Sequence, residues 1–133
     1  MNNVKRALAL HSRGFNCAQS VACPFCDTFD VDKETVFRLA EGFGFGMGTA
    51  GTCGAVTAMS MVIGMNLSDG NLDNPKSKAK CYAMMKKLTN EFQEKNGSIL
   101  CCELKGLTGG PVLRSCNGCI EDAVKLLEKN LEK

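Results

Sequence analysis

Nine cysteines are the residues best able to do chemistry in this chain of 133 residues. A thiolate is both a nucleophile and a metal ligand, so the same side chains can serve thiol redox chemistry or bind a metal. Two pairs have the C-x-x-C spacing that lets two sulfurs approach each other or one metal ion, namely Cys23 with Cys26 and Cys116 with Cys119. The cysteines therefore favour redox or metal chemistry, although cysteine also serves as a small buried hydrophobic residue.

Neither C-x-x-C pair fits a common motif. A dithiol of the thioredoxin type follows a β-strand, and the sequence predicts no strand before either pair. A zinc ribbon separates its two pairs by roughly 15 to 20 residues, whereas Cys26 and Cys116 lie much farther apart in the chain. A zinc site built from both pairs is therefore the weaker interpretation, and we expect Cys23 and Cys116 to be incidental thiols.

A glycine-rich segment precedes Cys53. Residues 41–52 read EGFGFGMGTAGT, and this density of glycine implies backbone angles or close contacts that a side chain would forbid. Residues 46–51 have the G-x-G-x-x-G spelling, but a dinucleotide site needs a strand before it and a βαβ unit around it. The segment instead predicts a loop, with Thr52 as a helix cap, that brings Cys53 to a helix N-terminus, where backbone donors and the helix dipole lower the pKa of a thiol.

The hydrophobic pattern that must position these residues is helical almost throughout. It predicts an all-α fold, a compact bundle of six or seven helices around a central helix near residues 53–66. That central segment is apolar around its whole circumference, as in a helix packed on several sides. Capping residues predict where other helices begin: Asn16, Asp32, Asn74 with Pro75, Ser98 and Ser115.

Composition narrows the classes of function. With 44% hydrophobic and 23% charged residues, the chain is typical of a single globular domain, here spanning residues 1–133. The net charge of +2 is spread along the chain and there is no Trp, so we expect no binding of nucleic acid. No apolar run approaches the roughly 18 to 20 residues that cross a bilayer, and residues 1–14 do not read as a signal peptide. We therefore expect a cytoplasmic protein without membrane insertion, in a compartment that keeps thiols reduced.

Four separate segments resemble the motifs of the C-GCAxxG-C-C family of redox-active proteins. They lie around Cys17, Cys53, Cys101 and Cys119 and occur in the order that the family shows. Ala58 stands where the central motif usually has glycine, and its small side chain still permits close helix packing. The resemblance implies redox chemistry at these four cysteines. The other five have no counterpart in the motifs: Cys23, Cys26, Cys81, Cys102 and Cys116.

Three functions are consistent with this pattern. In the first, Cys53 is the attacking thiolate of a redox protein, and Cys17, Cys101 or Cys119 resolves the sulfenate or mixed disulfide, with a redox partner protein or a small thiol as reductant. In the second, the same four cysteines, each near a predicted helix start, bind an iron–sulfur cluster or a zinc or iron ion. In the third, the chain is a non-catalytic subunit or binding module associated with a transporter. A homodimer is compatible with all three.

Overall fold

The computed structural model describes residues 2–131, and these residues confirm the all-α prediction. Six of its helices have six or more residues and two are single turns, with no strand in the described part of the chain. No helix in this part is long and apolar enough to cross a bilayer. The helices are α1 (Asn3–Ser12), α2 (Cys17–Ala22), α3 (Cys26–Phe29), α4 (Lys33–Ala40), α5 (Gly54–Leu67), α6 (Lys78–Asn96), α7 (Cys101–Leu104) and α8 (Cys116–Asn130).

Three of the predicted caps are confirmed. Asn16, Asp32 and Ser115 each accept, through the side chain, a hydrogen bond from the backbone amide three residues later. At Asn16 the bond is reciprocated, because the Gln19 side chain accepts from the Asn16 amide at 2.9 Å. These caps fix the first residues of α2, α4 and α8, and they make Cys17 and Cys116 the first residues of their helices.

The predicted start of α6 at Asn74 and Pro75 is wrong, because α6 begins at Lys78. The loop ahead of it is held by its own side chains. Asn71 Oδ1 accepts from the Asn74 amide at 3.0 Å, and an Asp69 carboxylate oxygen accepts from the Lys76 amide at 2.9 Å. Local hydrogen bonds of this kind compete with helix formation, so the helix begins only after the loop.

The prediction that Ser98 starts the short helix is also wrong, because α7 begins at Cys101. Residues 51–53 and 99–101 pair through their backbones instead. The Cys53 amide donates to the Ile99 carbonyl at 2.7 Å, and the Cys101 amide donates to the Gly51 carbonyl at 2.6 Å. This pairing ties the glycine-rich loop to the segment before α7 and so brings two motif cysteines onto adjacent stretches of chain.

Helix α5 is the centre of the bundle and packs against α2, α6 and α8. Ala55, Ala58, Met59 and Val62 are completely buried, whereas Ser60 faces solvent. The predicted central helix is therefore confirmed, and Ala58 occupies a closely packed position.

The starts of α2 and α5 touch at Gly54. A methyl group on Gly54 would overlap the Cys17 sulfur and would lie 2.9 Å from the Phe43 carbonyl oxygen. Only glycine fits there without displacing a neighbour, so this contact places Cys17 beside the residue that follows Cys53.

Replacing Gly54 should therefore destabilise the bundle. We expect Gly54→Ala to lower the free energy of unfolding by about 1 to 3 kcal/mol, because the methyl group forces α2 and α5 apart. Gly64→Ala is the matched control, since Gly64 lies in the same helix with nothing within 4 Å of an added methyl group. It should raise the free energy of unfolding by about 0.5 to 1 kcal/mol through helix propensity. Equal effects in chemical denaturation would contradict the close contact.

Candidate functional site

A small cavity of about 30 Å³ lies where the starts of α2, α5, α7 and α8 meet. All four cysteines of the family-like motifs line it. The structure thus brings Cys17, Cys53, Cys101 and Cys119 together at one cavity. The remaining lining residues include a fifth cysteine and two cations: Cys116, Lys105 and Arg114.

Cys53 itself occupies the N-cap position of α5, where we had placed Thr52. Its side chain makes no capping hydrogen bond, but the residue lies at the N-terminus of α5, which is the positive end of the helix dipole. The side chain is nearly buried, with 6% of the residue exposed. The first turn of α5 is therefore built to receive negative charge on this sulfur.

Cys53 and Cys119 are neighbours in the cavity and shift each other's pKa in opposite directions. Interaction with Cys119 is the largest cause that lowers the pKa of Cys53 to about 7; it outweighs the effect of burial, and the amides of Ala55 and Val56 and the charge of Lys105 act in the same direction. Interaction with Cys53, together with burial, raises the pKa of Cys119. The thiolate is therefore favoured at Cys53 and the thiol at Cys119.

The other two motif cysteines favour the thiol form. Burial raises the pKa of Cys17, and the negative charge of Cys53 raises it further, against an opposing hydrogen bond from the Phe45 amide. Burial also raises the pKa of Cys101, although the nearby Lys105 opposes this effect. The cavity therefore concentrates its negative charge on Cys53 among the four.

Lys105 supplies positive charge to the cavity. Its ammonium lies 5.3 Å from the centre of the Phe45 ring, and it lines the cavity together with Cys116. Burial lowers the pKa of Lys105, but interaction with Cys116 and the nearby Cys101 and Cys17 outweighs it and raises the pKa overall. The sequence patterns do not single out Lys105 as a site residue. Its position four residues after Cys101, about one helical turn, is the signal that could have placed it on the same side as Cys101.

Arg114 is held against the cavity by a buried carboxylate. Its Nε and Nη2 donate to the Asp122 oxygens at 3.1 and 3.2 Å, and Lys95 also donates to Asp122. Burial raises the pKa of Asp122, but the hydrogen bonds from Lys95 and Arg114 outweigh it and lower the pKa overall. The Arg114 side chain lies over Gly118, where an added methyl group would overlap the guanidinium. This network fixes the first turn of α8, which carries Cys116 and Cys119.

Removing the Asp122 charge should weaken the whole network. We expect Asp122→Asn to lower the free energy of unfolding by about 2 kcal/mol, the typical worth of hydrogen bonds to a charged group. Because the pKa of Asp122 is lowered on folding, its contribution should be complete above the ordinary carboxyl pKa and should vanish as pH falls through the lowered value. The control is Glu34→Gln, which breaks an exposed pair with Arg38 at 3.8 Å and should cost less than about 0.5 kcal/mol. If Asp122→Asn and Glu34→Gln unfold at the same urea concentration, the stabilising role of the Asp122 network is contradicted.

Cys116, which the sequence predicts to be an incidental thiol, lines the cavity together with Lys105. Cys116 is half-buried and lies three residues before Cys119, on the same side of α8. The other cysteines without a motif counterpart lie elsewhere: Cys23 and Cys26 in the hydrophobic core, Cys81 on α6 and Cys102 on α7. The two C-x-x-C pairs are thus in different environments and do not form one zinc site.

The glycine-rich loop is strained where it borders the cavity. Phe45, Met47 and Ala50 have φ angles of 52°, 61° and 58°, a left-handed conformation that costs a non-glycine residue about 1 to 3 kcal/mol. Phe45 lines the cavity and directs its amide toward the Cys17 sulfur. The loop follows helical turns, so its G-x-G-x-x-G spelling lacks the strand of a dinucleotide site.

The second function considered above requires the cysteines to hold a metal or a cluster. Within residues 2–131, no three His, Cys, Asp or Glu side chains are placed so that they could hold one metal ion. As they are placed in this structure, the described side chains therefore do not form a ready-made site for a zinc or iron ion.

The fold and the cavity define an all-α protein with a cluster of cysteines at converging helix starts. A family model described as "Putative redox-active protein (C_GCAxxG_C_C)" matches residues 15–130. The chain belongs to this family, as its four motifs predict. No curated protein and no solved structure matches the chain.

The alkylation rate of Cys53 should report its thiolate. Since only the thiolate reacts with iodoacetamide, the rate should rise with pH through a midpoint near 7. Cys119→Ala removes the neighbouring thiol and should move the midpoint up by about one pH unit. Cys119→Ser retains a hydrogen-bond donor and should move it less. Peptide mass spectrometry gives the rate at each cysteine, with Cys102 outside the cavity as internal reference. An unchanged midpoint in Cys119→Ala would contradict the role of Cys119.

Proposed function

We propose that the protein is a thiol redox protein in which the Cys53 thiolate attacks a small oxidant and Cys119 resolves the product. The observation that supports this function is that Cys53, at the start of α5, and Cys119 line the same small cavity. The pair combines a nucleophile that is ionised near neutral pH with a neighbouring thiol.

The size of the cavity favours a small substrate. A water molecule needs at least about 10 to 15 Å³ of such space, so a cavity of about 30 Å³ admits roughly two water-sized groups. Hydrogen peroxide has two heavy atoms and matches this volume. The disulfide of another protein is far too large to reach Cys53 through it, so sulfenate chemistry is favoured over direct exchange at Cys53.

In the first step, the Cys53 thiolate attacks one oxygen of the peroxide. A sulfur–oxygen bond forms, the oxygen–oxygen bond breaks, and the departing hydroxide takes a proton from solvent to give water. Cys53 is oxidised to a sulfenic acid and the peroxide is reduced. The positive charges of Lys105 and Arg114 at the cavity wall offset the negative charge that develops on the departing oxygen.

In the second step, the Cys119 sulfur attacks the sulfur of the Cys53 sulfenic acid. The sulfur–oxygen bond breaks, a disulfide forms, and the hydroxyl leaves as water with the proton of the Cys119 thiol. Both sulfurs belong to the same cavity, and Cys119 is the neighbour that most affects the pKa of Cys53. Of the three candidate resolving residues, we therefore favour Cys119 over Cys17 and Cys101.

Two thiols from a redox partner protein or from a small thiol then restore the reduced pair and leave as a disulfide. Such a cycle suits a compartment rich in reduced thiols, so we propose that the protein acts in the cytoplasm. Attachment to a transporter and formation of a homodimer stay predictions from the sequence.

The test is the reaction of the reduced protein with one equivalent of hydrogen peroxide in the absence of other thiols. The wild type should lose two thiols per peroxide consumed. In Cys119→Ser the sulfenic acid should persist at Cys53, because the resolving thiol is gone, and dimedone should trap it when the protein is unfolded in its presence. Cys53→Ser should consume peroxide at least about tenfold more slowly, and Cys102→Ser should match the wild type.

Two results would contradict the proposal. Consumption of peroxide by Cys53→Ser at the wild-type rate would remove Cys53 as the nucleophile. A disulfide from Cys53 to Cys17 or Cys101 in the wild type would remove Cys119 as the resolving residue.

A further inference from the structure

A disulfide between Cys53 and Cys119 would be poorly accessible to a reductant. In the reduced structure the two residues are 6% and 3% exposed. A thiol must reach a disulfide sulfur directly in order to attack it. The cavity of about 30 Å³ does not admit the cysteine of a partner together with its neighbouring atoms. Electrons from a partner therefore need a sulfur nearer the surface through which to enter.

Cys116 occupies the required position. It lines the same cavity as Cys53 and Cys119 but is only partly buried. On a helix, residues three apart have Cβ atoms about 5 to 6 Å from each other, and a disulfide requires about 3.5 to 4.5 Å, so the first turn of α8 has to tighten by roughly 1 to 2 Å. As the first residue of α8, Cys116 has an amide without a partner inside the helix, so its backbone can adjust without breaking the helix.

Lys105 supplies positive charge to the same cavity. It lines the cavity together with Cys116, and its ammonium lies over the half-exposed ring of Phe45. A fixed positive charge at this point favours the approach of a negatively charged thiolate from solvent and the charge that moves between sulfurs during exchange.

We propose that Cys116 is a relay thiol, which moves the disulfide from Cys53–Cys119 to Cys116–Cys119 so that a partner thiol can reduce it at the cavity edge. This inference rests on the function proposed above. It assigns a catalytic role to a fifth cysteine, outside the four motifs, and it makes Cys119 the sulfur shared by two successive disulfides.

The transfer is a thiol–disulfide exchange. Cys116 gives its proton to solvent, and its sulfur attacks the Cys119 sulfur. The Cys116–Cys119 bond forms as the Cys53–Cys119 bond breaks, and Cys53 leaves as a thiolate. A partner thiolate then attacks Cys116, and Cys119 departs and takes up a proton. A second partner thiol attacks the mixed disulfide, which releases the oxidised partner and the Cys116 thiol.

The properties of the sulfurs give this exchange its direction. Cys53 leaves at the N-terminus of α5, where the helix dipole stabilises a thiolate and so makes it a better leaving group. Departure of Cys53 also restores the thiolate that reacts with the oxidant. Cys17 is the other partly buried sulfur in the cavity, but it lies against Gly54 on a different helix from Cys119 and burial raises its pKa.

Disulfide mapping tests the relay. Reduced protein is treated with one equivalent of hydrogen peroxide, quenched in acid, alkylated and digested. The wild type should carry Cys116–Cys119 with Cys53 alkylated. Cys116→Ser should lose its thiols at the wild-type rate but retain Cys53–Cys119, and glutathione should reduce that disulfide at least about tenfold more slowly than it reduces the wild type. Cys102→Ser is the matched control and should behave as the wild type.

A second variant keeps every thiol in place. Lys105→Met should still form Cys53–Cys119, and the appearance of Cys116–Cys119 should follow more slowly than in the wild type. Rapid acid quenching at successive times separates the two disulfides. Equal rates of transfer in Lys105→Met and the wild type would remove Lys105 from the relay.

Three results would overturn the relay itself. The first is an oxidised wild type with Cys53–Cys119 and an alkylated Cys116. The second is reduction of Cys116→Ser by glutathione at the wild-type rate, and the third is transfer of the disulfide to Cys17. Failure of the proposed function gives a different result. Oxidised Cys116→Ser would then contain no disulfide at Cys53, and the relay would be excluded as well.

Discussion

Cys53 and Cys119 bring the starts of α5 and α8 together at one cavity, and the chemistry of the cavity depends on this pair. Interaction with Cys119 is the largest cause that lowers the pKa of Cys53, whereas burial raises the pKa of Cys17 and Cys101. A cluster of buried thiols thereby contains one sulfur that favours the thiolate beside another that favours the thiol.

Cys53 and Cys119 can meet only if the starts of α5 and α8 are held in place. Separate features of the chain hold them there. Backbone pairing between residues 51–53 and 99–101 holds the loop that ends at Cys53. The absence of a side chain at Gly54 lets α2 reach the start of α5. On the other side, the buried Asp122 binds Arg114 and secures the first turn of α8. The strained angles at Phe45 and Met47 persist because these contacts hold the loop at both ends.

Much of this arrangement can be predicted from the sequence, because local signals determine it. The helical period and the caps at Asn16 and Ser115 depend on neighbouring residues, so they locate α2 and α8 correctly. The all-round apolar pattern likewise locates α5. The helix starts predicted at Asn74 and Ser98 are wrong because hydrogen bonds in the surrounding loops make the next helix begin later. A rule based on capping residues alone does not include these bonds.

The composition of the cavity is harder to predict. The family-like motifs locate four cysteines, but they assign no role to Cys116 or Lys105, which complete the cavity wall. The pKa of Cys53 depends on its neighbour Cys119, which belongs to a helix that is distant in sequence. No spacing within a single helix reports such a contact, so the sequence left three resolving residues open.

The separation of these two cysteines along the chain has a consequence for protein synthesis. On the ribosome, the α5 segment with Cys53 emerges well before Cys119, which lies in α8, the last helix of the described chain. Until α8 folds against α1, α2 and α5, Cys53 lacks the neighbouring Cys119 that most lowers its pKa. The lowered pKa of Cys53 therefore arises only when α8 docks, after the other helices have been synthesised.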